Sequence, residues 1–248
     1  MKDIDFSIIF NSRNRVDMLT RMLECIEDTT SNLDKLEVLV NFDNDDKSSL
    51  YEFEKLISKF NFLTCLVNKR EINIHFNVNR MAFMSRGKYI WALGDDCHIM
   101  TKDWDKIASD QFMSASEKYK DKILLGAVNS TSIDKVLQFG WYCDAPILTR
   151  EGRNALGYLI HPHFISAGAD VATWVIYGSV GRIVDMRNIC FDHVTHNSVE
   201  ALKKKDQTQI EYLDRQMSRQ VFNPFTYDYS RDIEIIKELT GEKSTNSL

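Results

Sequence analysis

The sequence predicts an α/β fold in which a mainly parallel central sheet is flanked by helices. Short apolar runs containing β-branched residues alternate with stretches where apolar residues recur every three or four positions. Two of the runs end in acidic clusters, and the first ends in a polar segment. Strands that alternate with helices in this way form a parallel sheet covered on its faces. With 248 residues, 44% of them apolar, the chain can form one domain with a substantial core.

The first strand and helix are predicted around a polar loop. The apolar run from Phe6 to Phe10 indicates a strand, and the segment NSRNR at 11–15 interrupts it. The helix that follows has one apolar face, formed by Leu19, Met22, Leu23 and Ile26. Asn14, with Asp17 three positions later, resembles a capping arrangement. The loop is therefore expected to point at a helix amino terminus.

Two more strand and helix units follow. A strand from Leu36 to Phe42 ends in the acidic residues Asp43, Asp45 and Asp46, and a third strand is predicted from Phe62 to Val67. The helix between them would carry Leu50, Phe53, Leu56, Ile57 and Phe60.

The acidic pair Asp95–Asp96 follows the fourth predicted strand. We predict a short helix from Asn79 to Arg86 closed by Gly87, and then a strand from Tyr89 to Leu93. Beyond it we predict a helix after Trp104, a strand over 123–128, loops over 131–168, and helices over 210–221 and 233–239. We expect one domain over 1–240, with a nucleotide-binding half over about 1–105, an acceptor half over about 106–240 and a frayed tail over 241–248.

Composition excludes several classes of protein. A net charge of −5 argues against binding long nucleic acids through the net field. The cysteines are odd in number, widely spaced and without a C-x-x-C pair, which indicates neither disulfides nor a thiolate zinc site. No apolar run approaches the length of a signal peptide core or a membrane span. We therefore expect a soluble, cytoplasmic protein without a transmembrane segment.

The pair Asp95–Asp96 is the first candidate for chemistry. Ligands of open α/β sheets bind beyond the carboxyl ends of the strands, where these acids lie. Two adjacent carboxylates repel unless solvent, hydrogen-bond donors or a cation compensates them. Mg²⁺ or Mn²⁺ would do so and would leave positions open for substrate phosphates. A solvated turn after the strand is the alternative reading of this pair.

The ordered motifs together resemble glycosyltransferase family 2. The segments FSIIFNSRNR, VLVNFDNDD and NRMAFMSRGKYIWALGDD occur in the order and spacing of that family's P-T-x-N-R, D-D-G-S, R-N-x-G, G-x-Y-I and D-x-D elements. The similarity covers residues 5–105 well and the rest weakly. It implies the GT-A fold of nucleotide-diphospho-sugar transferases, and a nucleoside-diphosphate sugar as the donor.

The resemblance also implies roles for particular residues. Nucleotide-sugar binding falls on Asn11, Ser12, Arg13, Arg15, Asp43, Asn79 and Asp95. The metal, Mn²⁺ or Mg²⁺, falls on Asp96. The sequence departs from the family pattern at Asn11, where the family has proline, and at Gly94, where the family has the first acid of D-x-D.

A histidine late in the chain is a further expected metal ligand. Family members often supply one, and His193 is our candidate, with His196 as its competitor. A structural histidine is the alternative interpretation.

Transfer to a hydroxyl requires a base to accept its proton, and Asp170 is our catalytic candidate. It lies in SAGADVATWV, where the family's base is expected. A helix cap is the other reading of Asp170, and Asp185 and Asp144 are weaker alternatives.

The resemblance thus implies an inverting, metal-dependent glycosyltransferase. Its acceptor is open among saccharide, lipid-linked sugar, protein and modified nucleic acid. A catalytically silent sugar- or nucleotide-binding protein of the same fold is one alternative. A nucleotidyltransferase is another, although the loop NSRNR lacks the glycines that such enzymes carry.

Overall fold

The computed structural model describes residues 3–71, 73–131, 143–164, 168–193 and 227–241. The predicted helix over 210–221, the tail beyond 241, and part of the predicted loops over 131–168 lie outside this portion. His196 lies outside it as well.

The described residues form an α/β structure around one eight-stranded sheet. In chain order the strands are β1 Phe6–Ser12, β2 Leu36–Asp43, β3 Leu63–Asn68, β4 Tyr89–Ala92, β5 Cys97–Ile99, β6 Leu125–Ser130, β7 Ile147–Thr149 and β8 Ile183–His193. The helices are α1 Val16–Thr29, α2 Lys47–Lys59, α3 Ile74–Met84, α4 Trp104–Lys118, α5 Arg150–Leu156, α6 Ala169–Ser179 and α7 Ser230–Thr240. The strand order across the sheet is β3-β2-β1-β4-β7-β6-β8-β5.

The direction of the strands places their carboxyl ends together. Strands β1, β2, β3 and β4 are parallel neighbours, and β6 is parallel to β8. The short β7 runs antiparallel to both β4 and β6, so β6 and β8 point the same way as β4. Strand β5 returns antiparallel to β8. The ends of β1, β2, β4 and β8 therefore face one edge of the sheet, and β5 begins there.

The core follows the predicted apolar pattern most closely in the first half. The four α1 residues predicted to share an apolar face, Leu19, Met22, Leu23 and Ile26, are fully buried against the sheet. Burial of each such side chain stabilises the fold by about 1.5–3 kcal/mol. Helix α2 buries far less of its predicted face, because Leu56 is enclosed whereas Ile57 is 39% exposed.

The helix before β4 differs from the sequence prediction. Helix α3 begins at Ile74, five residues before Asn79, and ends at Met84. Its amino-terminal cap is Asn73, whose side chain accepts a hydrogen bond from the His75 N–H. Gly87 does not close the helix, because α3 ends at Met84 with Ser85 as its cap. Gly87 instead permits close packing, since a Cβ there would lie 2.4 Å from Ser7 Oγ.

The predicted cap of α1 is also absent. Arg15 occupies the cap position without a side-chain hydrogen bond, and Asn14 has a left-handed backbone with φ of 54°. The Asn14 N–H instead donates to Asp46 Oδ2 at 2.8 Å. The loop is therefore held by the acidic segment after β2, and Asp17 lies in the first helical turn without capping it.

Candidate active site at the carboxyl edge of the sheet

The acidic pair after β4 is enclosed by the protein. Asp95 is completely buried and Asp96 is 6% exposed. Ser12 Oγ, at the end of β1, donates a 2.8 Å hydrogen bond to Asp95 Oδ2. Burial raises the pKa of Asp95 to about 7, the charge of Arg15 lowers it, and the charge of Asp96 raises it. A solvated turn is thus excluded for this pair.

Arg15 joins the two carboxylates. Its guanidinium lies 2.6 Å from Asp95 Oδ1 and 3.7 Å from Asp96 Oδ2. The alignment of Arg15 with the acids depends on the loop between β1 and α1, which Asp46 fixes from the neighbouring strand end. Asp46 also caps α2 by accepting the Ser49 N–H at 3.1 Å. The sequence showed Asp46 only as one of three acids, and its dual role was not predicted.

Arg13 faces the acidic end of β2. Its Nη1 lies 3.1 Å from Asp43 Oδ2 and 2.5 Å from Asp45 Oδ1. Burial is the largest influence on Asp43 and raises its pKa, while the Arg13 charge opposes this shift. The predicted residues Arg13 and Asp43 are therefore in direct contact, at the strand ends where the sequence placed a nucleotide.

The two predicted asparagines hold backbone segments. Asn11 Nδ2 donates to the Ile74 carbonyl at 2.9 Å and so ties β1 to the start of α3. Asn79 Nδ2 donates to the Ile160 carbonyl at 2.7 Å, and its Oδ1 accepts from the N–H groups of Leu159 and Ile160. The hydrogen bonds of the Asn79 amide therefore fix the 159–160 segment. The location of Asn79 beside a nucleotide stays a prediction.

His193 ends β8 beside the acidic pair. Its Nε2 lies 3.4 Å from Asp96 Oδ1. Cys97 faces it across the β5–β8 ladder, and the ligand atoms of Asp96, Cys97 and His193 all lie within 4.8 Å of one another. His98 lies between Cys97 and Ile99 on β5, and alternation along a strand points it to the other face. Sequence reasoning proposed Asp96 and His193 and missed Cys97, whose signal was its position directly after the acids.

This group of donors fits a divalent cation. A carboxylate and an imidazole are ligands of Mn²⁺ and of other first-row divalent metals. Gly94 leaves room for them, because a Cβ at that position would lie 2.3 Å from Asp96 Oδ1. Gly94 stands where the family has the first acid of D-x-D. The carboxylate of Asp96 occupies the space that a side chain at position 94 would fill.

The three candidate bases lie in different surroundings. Asp170 is in the first turn of α6, whose cap is the left-handed Gly168, so Asp170 does not cap the helix. Its charge is one cause of the raised pKa of Tyr229. Asp144 accepts a 2.8 Å hydrogen bond from Ser130 at the end of β6, and its charge contributes to the raised pKa of Cys97. Asp185 is 57% exposed and pairs with Arg187.

The aromatic residues of α6 and the ring of His161 have structural surroundings. Tyr177 is fully buried in α6, and Trp174 packs against the core. His161 is buried in a ring cluster with Tyr227 and Tyr229, and its Nε2 lies 3.5 Å from Asp232 Oδ2. These contacts attach α7 to the 158–164 segment and give His161 a structural role.

The fold is the GT-A fold of several solved glycosyltransferases. S. aureus TarS 1-349 superimposes with a TM-score of 0.60 at 12% sequence identity, over 95% of this chain and 70% of that one. GalNAc-T7 with UDP, GalNAc and Mn²⁺ gives 0.61 at 13% identity, over 95% and 54%. The mannosyltransferase PcManGT from Pyrobaculum calidifontis, in complex with GDP-Man and Mn²⁺, gives 0.58 at 14% identity, over 94% and 69%.

The similarity is one of fold. The chain spans about half the length of the GalNAc-T7 chain and 43% of the longer TarS chain. No protein-family model matches the sequence, and no curated protein matches it. In the described part of the chain, no helix combines the length and the apolar character needed to cross a membrane.

Proposed function

We propose that this protein is a glycosyltransferase that moves a sugar from a nucleoside-diphosphate sugar to an acceptor hydroxyl, with inversion at the anomeric carbon. The observation that carries the proposal is the convergence of Ser12, Arg15, Asp95, Asp96 and His193 at the carboxyl edge of a GT-A sheet. Solved proteins of this fold include complexes with UDP, UDP-GlcNAc and GDP-Man. These support a nucleotide-linked sugar as the donor.

The strand ends of β1 and β2 would hold the nucleotide. Arg13 and Asp43 form a charged pair there, and Ser12 and Arg15 connect the same loop to the acids after β4. Asn11 and Asn79 fix the surrounding backbone through their hydrogen bonds. Asp95, with Ser12 donating to one oxygen and Arg15 beside the other, is suited to orienting these two residues of the loop.

Asp96 and His193 would hold Mn²⁺ or Mg²⁺ beside the diphosphate. Such an ion, when bound, neutralises charge that develops on the leaving diphosphate. The Mn²⁺ complexes of GalNAc-T7 and PcManGT support a divalent metal in proteins of this fold. Arg15, within 3.7 Å of Asp96, adds a fixed positive charge next to the same position.

Asp170 would accept the proton of the acceptor hydroxyl, with Asp144 as the alternative. The first lies at the amino terminus of α6, and the second lies near Cys97. A single base opposite the leaving group favours direct displacement, and hence inversion. Acceptor identity would depend on the loops over about 130–168.

A transfer assay with radiolabelled UDP- and GDP-sugars tests the proposal. We expect release of the nucleoside diphosphate together with label on an acceptor or on water, and loss of both in Asp96→Asn. Asp170→Asn should lose turnover while it still binds the donor, and Asp144→Asn should retain turnover. Full transfer by a folded Asp170→Asn would assign the base elsewhere. Donor binding without turnover on any acceptor or water would favour a silent binding protein.

A further inference from the structure

Three residues around the start of β5 form a compact set of metal donors. Asp96, Cys97 and His193 each present one ligand atom, and these atoms lie within 4.8 Å of one another. Cys97 and His193 are directly opposite in the antiparallel β5–β8 ladder. Opposed residues share a face of the sheet and have Cβ atoms about 4.5–5.5 Å apart. The backbone ladder therefore fixes two of the three donors before any metal binds.

We propose that Cys97 is a thiolate ligand of the metal in this chain, together with Asp96 and His193. The site would consequently bind Zn²⁺ or Co²⁺ more tightly than Mg²⁺. This inference rests on the proposed sugar transfer only for the use that the protein makes of the metal. The donors themselves are given by the geometry of β5 and β8.

Gly94 provides no metal donor at the position where a D-x-D element has its first acid, so the site needs a donor from elsewhere. An acid at this position would complete the D-x-D element, but a Cβ there would lie 2.3 Å from Asp96 Oδ1 and 3.5 Å from Cys97 Sγ. The space of the absent side chain is therefore used by Asp96, next to the sulfur of Cys97. The thiol supplies from the following strand the donor that position 94 lacks.

Asp95 is not available to replace that donor. It is completely buried, Ser12 Oγ donates to one of its oxygens, and Arg15 lies 2.6 Å from the other. A metal bound to Asp95 would have to displace the Arg15 guanidinium. Arg15 lies farther from Asp96, at 3.7 Å from its Oδ2, and the Oδ1 of Asp96 lies 3.4 Å from His193 Nε2.

The donor types determine which metals fit. Thiolate and imidazole favour Zn²⁺ and other first-row metals late in the series, whereas Mg²⁺ prefers oxygen donors alone. Three protein ligands leave a coordination position for an oxygen of the diphosphate. Binding forms the Sγ–metal bond and releases the thiol proton to solvent, with no change in oxidation state.

Titration of the full-length apoprotein with Co²⁺, without nucleotide, tests the inference. A thiolate ligand gives a near-ultraviolet thiolate-to-cobalt charge-transfer band, which carboxylate and imidazole do not give. We expect this band in the wild type, its loss in Cys97→Ser with at least about tenfold weaker Co²⁺ binding, and its full retention in Cys65→Ser. The control alters a half-buried thiol on β3, away from β5 and β8.

Each outcome has a defined meaning. Zn²⁺ should abolish the band at equimolar concentration, and excess Mg²⁺ should not. Absence of the band in the wild type, or its persistence in a folded Cys97→Ser, would overturn the assignment. If Cys97→Ser fails to fold, as judged by circular dichroism, His193→Ala and the wild-type competition decide the same point. Because no nucleotide is present, failure of the transferase proposal would show separately, as absent donor binding beside an intact band.

Discussion

The guanidinium of Arg15 lies 2.6 Å from the carboxylate of Asp95, and that carboxylate is fully enclosed. The pair joins the amino-terminal cap of α1 to the turn after β4 across the carboxyl edge of the sheet. A buried carboxylate is costly without a charged partner or hydrogen-bond donors. The first helix is thus electrostatically connected to the acids that the proposed reaction uses.

Arg15→Gln should lower the free energy of unfolding by about 2 kcal/mol at neutral pH, because it removes the cation that lies 2.6 Å from a buried carboxylate. Arg15→Lys keeps the charge and should lose less. Chemical denaturation of both variants beside the wild type measures the difference. Equal stability of Arg15→Gln and the wild type would mean that the pair does not hold the loop.

Stability should depend on pH through Asp95. Burial raises its pKa from the ordinary 3.8 to about 7, so the folded protein holds this proton more tightly than the unfolded chain. Its stabilising contribution is full below about pH 4, falls as the pH rises toward 7, and is lost above that. Asp95→Asn cannot titrate, so the stability of the wild type relative to this variant should decrease between about pH 5 and about pH 8. Chemical denaturation of both proteins at the two pH values measures this relative stability. A relative stability that stays the same or increases with pH would contradict the raised pKa of Asp95.

Asn79→Ala should destabilise the fold more than it weakens nucleotide binding. Three hydrogen bonds to the 159–160 backbone disappear, for a loss of about 2–3 kcal/mol. Asn79→Asp retains the acceptor oxygen and loses the donor, so its loss should be smaller. Denaturation and nucleotide titration on the same samples separate the two effects. Unchanged stability with weakened nucleotide binding would instead support direct contact with the nucleotide.

Gly94→Ala should weaken Co²⁺ binding about tenfold, because the added Cβ forces Asp96 out of its position. Gly178→Ala is a matched control, since a Cβ there meets only Ile183 at 3.4 Å, an ordinary contact distance. Isothermal titration of both variants measures the change in affinity. Equal affinities would show that Asp96 can shift freely and still bind the metal.

The first half of the fold could be predicted from sequence because local signals and tertiary packing agree there. The apolar face of α1 is buried as predicted, and β1, β2 and the acids after β4 fall within a few residues of their expected bounds. Helix α3 was placed wrongly, because its cap at Asn73 and its contacts through Asn79 depend on the distant 159–162 segment. Gly87 was misread for a similar reason, since its role lies in packing against Ser7.

The candidate site was predicted by residue type but not by partner. The contact of Arg13 with Asp43 and the approach of His193 to Asp96 join residues at least 30 positions apart. Such contacts depend on the order of strands in the sheet, which one sequence does not specify. Cys97 was dismissed because it belongs to no cysteine motif, and only the β5–β8 pairing places it opposite His193.

The central claim is that the carboxyl edge binds a nucleoside diphosphate with a divalent metal. The most direct measurement is thermal stabilisation by a panel of nucleoside diphosphates and their sugar conjugates, each with and without Mn²⁺, on the wild type and on Asp43→Asn. A ligand at 100 times its dissociation constant adds about 2.7 kcal/mol to the free energy of unfolding. We predict a metal-dependent increase in melting temperature with one nucleotide class, reduced in Asp43→Asn. No increase with any nucleotide, with or without metal, would contradict the claim.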